Sequence, residues 1–356
     1  MHKITRDKYF GDLDIYSKKI SKIIEDELET VDITEHKSFF SKKRKNKSYQ
    51  RPFFFKYILQ ILVKKNYLDE ELINLIGSYI EILNISTYLS NHSFDEKNSI
   101  NSKFKSNNQV IASMLLRDYL DRKIISLTKN NLIATDEALN FIKVIADINY
   151  NIYCGQHIDM NELTIDKYNR FKNEKEYLQR YEERCYLITG IFQEKIVEVA
   201  TVFSKNTEHK DTLLKFAKYL GIGIQIVNDI GDFILEIDGA IDTHKDHQDY
   251  FADLRNDKLT LPIYYAIGNQ KLKNDILKIA KEDTYGFTLY QNIAERMYKE
   301  GIFNKSKKIA LEYYKLADNE LKKLPDSKEK SYLKHMLLLL KVNKYYTTLR
   351  IKYASN

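Results

Sequence analysis

Residues 213 to 236 read LLKFAKYLGIGIQIVNDIGDFILE, and the spacing within this stretch decides the fold class. Leu213, Ala217, Leu220, Ile224 and Val227 recur every three or four positions, which makes one apolar face of a helix. Asn228, Asp232 and Glu236 follow at intervals of four, so an amide and two carboxylates are expected on one stripe of that helix, with Asp229 beside them. Oxygens stacked in this way repel one another or stay unsatisfied when buried, unless a cation or a donor lies between them. Hard cations such as Mg2+ take carboxylate and amide oxygens, and substrate phosphates complete the shell. A solvated polar face is the alternative. Gly221, Gly223 and Gly231 and the scarcity of charge before the stripe weigh against it.

Outward from this stretch the same helical period recurs, as in Ile58, Ile61, Leu62 and again in Leu72, Leu75, Ile76, Ile80, Leu83. The chain has 356 residues, 43% hydrophobic and 30% charged, with 3 Pro and 11 Gly, which excludes collagen and low-complexity disorder and is too few turn formers for an all-β protein. One all-α domain of about a dozen helices is expected. Breaks are predicted at Gly11, Arg51-Pro52, 90–108, 207–210, 239–256, 268–271 and Pro325-Asp326. The 27 Tyr and 17 Phe offer a lining for an apolar substrate as well as ordinary core.

Two cysteines, Cys154 and Cys185, cannot build a disulfide scaffold, and no window has the apolar run of a signal peptide or membrane helix, so a cytoplasmic chain is expected. The net charge is +7, and its densest basic run is SKKRKNK at 41–47. Because charge elsewhere is well mixed, that run reads as a solvated loop and no nucleic-acid partner is expected. The run Asp242, His244, Asp246, His247, Asp249 reads as a polar loop rather than a metal site.

IQIVNDIGDF resembles the second aspartate-rich motif of the trans-isoprenyl diphosphate synthases, the polyprenyl synthetase family, which reads F-Q-x-x-D-D-x-x-D. Gln225, Asp229 and Asp232 fall on family positions, and Asn228 replaces the first aspartate. DLRNDKLTLP, from Asp253, is similar to D-L-x-x-G-K-x-T-L-P and puts Lys258 on a diphosphate-contacting lysine. YCGQHIDM matches G-Q-x-x-D through Gly155, Gln156 and Asp159. YEERCYLITGIF keeps Thr189-Gly190 of the K-T-G helix, with Ile188 where the lysine belongs. QRPFF resembles the end of G-G-K-R-x-R-P and retains Arg51, while NNQVIASMLLRDYL resembles the helix G-N-x-x-A-I-L-x-G-D-Y-L. The similarity spans residues 40 to 350, so residues 1–40 read as an N-terminal helical extension and 41–356 as the synthase domain.

The resemblance implies the isoprenoid synthase fold, a single bundle of antiparallel helices around a central apolar cavity, and a homodimer. It also implies about three Mg2+ ions that grip an allylic isoprenyl diphosphate between two acidic motifs. The C–O bond then ionises, and isopentenyl diphosphate captures the cation. The first motif, however, aligns to Asn91-His92-Ser93-Phe94-Asp95 and keeps only its last acid. Ser86 and Thr87 occupy the positions that floor the chain pocket, and both are small, which implies room for a chain of about 15 or 20 carbons.

Three readings follow. A prenyltransferase would use His92 and Asp95 for a reduced metal set, with lysines of 43–47 or 97–105 replacing lost cations. A class I terpene cyclase would use Asn228, Asp232 and Glu236 as its metal triad and need no isopentenyl site. A partner subunit, or a relative that prenylates a peptide, would have given up the ordinary activity. The intact second motif favours catalysis, and the extent of similarity favours the transferase.

Overall fold

Thr5 starts the first helix by accepting a hydrogen bond from the Lys8 amide at 3.3 Å. In chain order the helices are α1 (Arg6–Leu28), α2 (Gln50–Leu62), α3 (Glu70–Phe94), α4 (Ser106–Lys129), α5 (Thr135–Asn161), α6 (Glu174–Cys185), α7 (Ile191–Ser204) and α8 (Lys210–Gly231). After a short antiparallel pair, β1 (Glu236–Ile237) and β2 (Ala240–Ile241), come α9 (Ala252–Arg255), α10 (Leu261–Ile267) and α11 (Lys273–Ile279). The last three are α12 (Phe287–Lys299), α13 (Ile302–Lys322) and α14 (Lys328–Lys341). A 3-10 turn (Ile165–Arg170) precedes α6, and a π turn (Tyr186–Gly190) joins α6 to α7. This computed structural model describes residues 4–29, 49–63, 69–94, 106–233, 236–237, 240–241, 251–279 and 287–341. The basic run 41–47, Asp95, the lysines of 97–105 and the run 242–249 lie outside the described residues, as do the side chains of His92 and Glu236.

The chain forms two units, each with its own core. The first comprises 1–149, 193–217 and 318–337. In it α3 packs along α4 and against α1 and α2. Among the described residues α3 is the one helix long and apolar enough to cross a membrane, over Glu70–Asn91, but 83% of its 18-residue apolar window is buried. A tyrosine cluster ties α1, α2 and the C-terminal segment together: Tyr57 stacks on Tyr332 at 4.2 Å, and Tyr9 meets Phe53 edge-on at 5.5 Å. Gly11 does not break α1, because nothing lies within 4 Å of where its Cβ would be and the helix runs through it.

The second unit comprises 150–192, 218–317 and 338–356. Gly221 of α8 lies against the backbone of Gly190, where a Cβ would stand 2.5 Å from the Gly190 Cα. Gly223 accommodates the Tyr314 ring in the same manner. The Tyr177 ring lies between two others, parallel to Tyr264 at 3.6 Å and to Tyr181 at 5.7 Å. The Tyr177 hydroxyl donates to the Leu259 carbonyl at 2.9 Å, which pins the segment before α10.

Candidate active site

α8 ends at Gly231, so the expected four-residue stripe does not reach Glu236, which lies in β1. The reason is local. The Asp232 carboxylate accepts the backbone amides of Ala252 and Asp253, each at 3.1 Å, and its carbonyl accepts the Phe251 amide at 3.0 Å. These bonds turn the chain at a glycine and hold the first turn of α9 in place. The rest of the stripe is also divided, since Asn228 is exposed while Asp229 and Asp232 are buried.

The sequence-predicted residues that do come together form one buried network. Arg184 Nε donates to Asp159 Oδ1 at 2.7 Å, and one of its terminal nitrogens donates to Asp229 Oδ2 at 2.7 Å. Lys258 Nζ lies 2.8 Å from Asp159 Oδ2. The four side chains are 1–5% exposed, and two acids against two bases leave no net charge, as burial requires. The Tyr181 hydroxyl also donates to Asp229 Oδ2, at 2.5 Å, and Gln225 Nε2 donates to Asp229 Oδ1 at 2.8 Å. Thr189 donates in turn to Gln225 Oε1. Lys258 is held by its backbone as well as its side chain: its amide donates to the Asp253 carbonyl at 2.9 Å, and residues 257–259 pair with 163–165.

Burial alone would raise the Asp159 pKa, but Arg184 and Lys258 hold it down at about 2. Burial, with Asp253 and Asp159 nearby, pushes the Asp229 carboxyl up to about 6 against the pull of Arg184. The neighbouring Cys185 thiol is raised to about 12 by burial and has no nucleophilic character.

Arg184 and Tyr181 are absent from the residues singled out in the sequence. The signal was available, because Tyr177, Tyr181, Arg184 and Ile188 share one stripe at helical spacing, and an arginine on an otherwise aromatic and aliphatic stripe needs buried anions. Gln156 is buried, and its Oε1 has no partner among the described residues.

A family pattern described as Polyprenyl synthetase matches residues 96–296, which takes in every member of this network. This chain belongs to the polyprenyl synthetase family. A curated relative, heptaprenyl diphosphate synthase component 2 of Bacillus subtilis (strain 168), is 29% identical over 170 residues. That match spans 47% of this chain and 45% of the relative, so the chain matches under half of that protein's length. Among solved structures, the polyprenyl synthase from Caulobacter crescentus CB15, complexed with calcium and isoprenyl diphosphate, superposes with a TM-score of 0.74 at 15% identity, covering 97% of this chain and 99% of that one. Heptaprenyl diphosphate synthase from Staphylococcus aureus gives 0.71 at 17% identity, covering 93% and 98%. Likeness at these identities is one of fold, the all-α isoprenoid synthase fold.

Asn91, read in the sequence as the start of an eroded first motif, lies near the end of α3, in the first unit. Asn91 Oδ1 is buried there without a partner among the described residues, an acceptor suited to a cation or a water. Arg51 sits at the start of α2, where burial lowers its pKa and the buried carboxylate of Glu81 opposes that. Ser86, expected at the floor of a chain pocket, has its hydroxyl engaged with α4. It donates to the Ser113 carbonyl at 2.9 Å and accepts from Arg117 Nε at 3.1 Å, so it faces α4. Thr87 donates back to the Asn84 carbonyl at 2.9 Å. Ser86→Phe is therefore expected to lower stability by about 3 kcal/mol, through overpacking and the stranded Arg117 and Ser113 groups. Urea unfolding checks this, and an unchanged midpoint would return Ser86 to the pocket.

Among the described residues no three His, Cys, Asp or Glu side chains converge as a metal site of their own. The donors at the second motif are nonetheless hard oxygens, the amide of Asn228 and the carboxylates of Asp229 and Asp232. That set suits Mg2+ shared with phosphate and does not suit a soft metal.

Proposed function

We propose that this site binds an allylic isoprenyl diphosphate and promotes loss of its pyrophosphate, with transfer of the prenyl group to isopentenyl diphosphate. The observation that carries this reading is the meeting of Asp159, Asp229 and Lys258, from three separate stretches, in one buried cluster. Asn228 and Asp232, with Asn91, His92 and Asp95, would hold Mg2+, and Glu236 would add a carboxylate from β1. When bound, the metal offsets the charge that grows on the departing pyrophosphate. Lys258 supplies a cation to the same oxygens, and Arg51 another. Gln225 and Thr189 fix Asp229, and Gln156 offers its unpartnered oxygen to a water or a donor at the site. The C–O bond breaks with its electron pair on pyrophosphate, the double bond of the acceptor attacks the carbocation, and pyrophosphate removes the proton.

Residues 1–40 are read as a helical extension of a synthase domain spanning 41–356, in a cytoplasmic protein. Ile111, Met114, Leu115 and Ile125 of α4 are exposed, and these apolar side chains support assembly with a second subunit, most simply as a homodimer. The cyclase reading would need Asn228, Asp232 and Glu236 to meet at a metal although Glu236 lies in β1, beyond the helix that carries Asn228. A subunit role is the second reading, favoured by the word component in the name of the Bacillus relative and by the eroded first motif.

Incubation with geranyl, farnesyl and geranylgeranyl diphosphates, each with and without isopentenyl diphosphate, tests the proposal. Longer diphosphates and Mg2+-dependent pyrophosphate release are expected, and Asp232→Ala should reduce the rate by about 100-fold or more. Hydrocarbon without isopentenyl diphosphate would instead support the cyclase. Silence with all three substrates would support the subunit.

A further inference from the structure

Among the described residues of the second unit, Arg184 is a buried cation set between two buried carboxylates. Its guanidinium bridges two carboxylates that belong to different helices, Asp159 of α5 and Asp229 of α8. Lys258 takes the second oxygen of Asp159, so one carboxylate is shared, an oxygen to each cation. The helix that carries Arg184 also reaches Asp229 a second time, through Tyr181, and the π turn that follows brings Thr189 against Gln225, which holds the other oxygen of Asp229. A π turn is a local cost that is retained where it aims side chains. Here it lets one segment, 181–189, hold one oxygen of Asp229 directly and the other through Gln225.

A planar fork can donate from two edges at once, whereas an ammonium is a single point. No lysine at this position can hold both acids in the same geometry. Without the fork, Asp159 is oriented by Lys258 alone, and Lys258 moves with it.

We infer that Arg184 is a positioning residue of this site, one that fixes Asp229 directly and Lys258 through Asp159 and so governs the binding of metal-pyrophosphate without touching it. This assignment rests on the function proposed above.

Calorimetric titration of Mg2+ and inorganic pyrophosphate into the full chain tests it, with each variant held well below its own unfolding midpoint. Arg184→Lys, which keeps the charge and loses the fork, is expected to bind about tenfold to a hundredfold more weakly, the usual range when a partner that orients a ligand is removed. Arg180→Lys is the control. Arg180 is a partly exposed arginine of the same helix, paired with Glu162 and Glu183, and its replacement should leave the affinity unchanged. Wild-type affinity in folded Arg184→Lys would overturn the assignment, and so would an equal loss in Arg180→Lys. A wild-type chain that takes up no pyrophosphate would overturn the proposed function itself, a result distinct from either.

Discussion

Asp159→Ala is expected to destabilise the folded protein by about 3–5 kcal/mol at neutral pH, because it removes a buried carboxylate that two buried cations share. Arg184 and Lys258 are 3% and 5% exposed, and Asp159 is the one anion they share. The same carboxylate gives the change a pH signature. Its pKa is about 2 in the fold against an ordinary value of 3.8, so its contribution is fully present above the ordinary value and is lost as pH falls through about 2. The stability gap between wild type and Asp159→Ala should therefore narrow by about 2 kcal/mol between about pH 5 and pH 2. The remainder persists, since a protonated carboxyl still fills the site and hydrogen-bonds while alanine does neither. Chemical unfolding across that range checks both points, and a gap that does not change with pH would remove the buried ion pairs from the account.

Gly221→Val is expected to be at least as damaging, at about 3 kcal/mol or more, and to abolish the site along with the stability. A Cβ at this position would stand 2.5 Å from the Gly190 Cα and 3.0 Å from its nitrogen. Both are backbone atoms of the π turn, so no side chain can rotate away. The collision would push α8 off the turn that carries Thr189, and with it the contact between Gln225 and Thr189 that orients Asp229. Gly231→Ala is the comparison, because nothing lies within 4 Å of its Cβ position and only a small change is expected. Thermal unfolding of the two variants decides the matter, and equal midpoints would show that the close approach of α8 to the π turn is not what fixes the site.

The helices of this protein were legible because each buries a face of its own residues, and periodicity records that directly. The face of α8 read from Leu213 to Val227 lies within an actual helix, and the breaks at 207–210 and 268–271 fall between helices. Gly11 was misjudged for a reason of environment. A glycine on an uncrowded helix face costs about 1 kcal/mol, which tertiary packing of α1 easily outweighs.

At the candidate site, chain spacing named the acids but not the partners they meet. Asn228, Asp232 and Glu236 share a helical interval, yet the helix stops at Gly231 because Asp232 is drawn to the amides of Ala252 and Asp253. Ser86 carries the right residue type for an open pocket floor but faces Arg117 of α4. A period of four residues states which side chains are neighbours while a helix lasts, and says nothing of which neighbouring helix they meet.

The sequence by itself therefore determined the all-α class and the family, because these depend on residue type and on local spacing along one chain. Tertiary structure alone decided that Arg184 joins Asp159 to Asp229, that Lys258 is held by Asp159, and that Asp232 caps a helix. A buried charge takes its partner from whatever the packing brings within about 3 Å, and that distance is set between helices far apart in sequence.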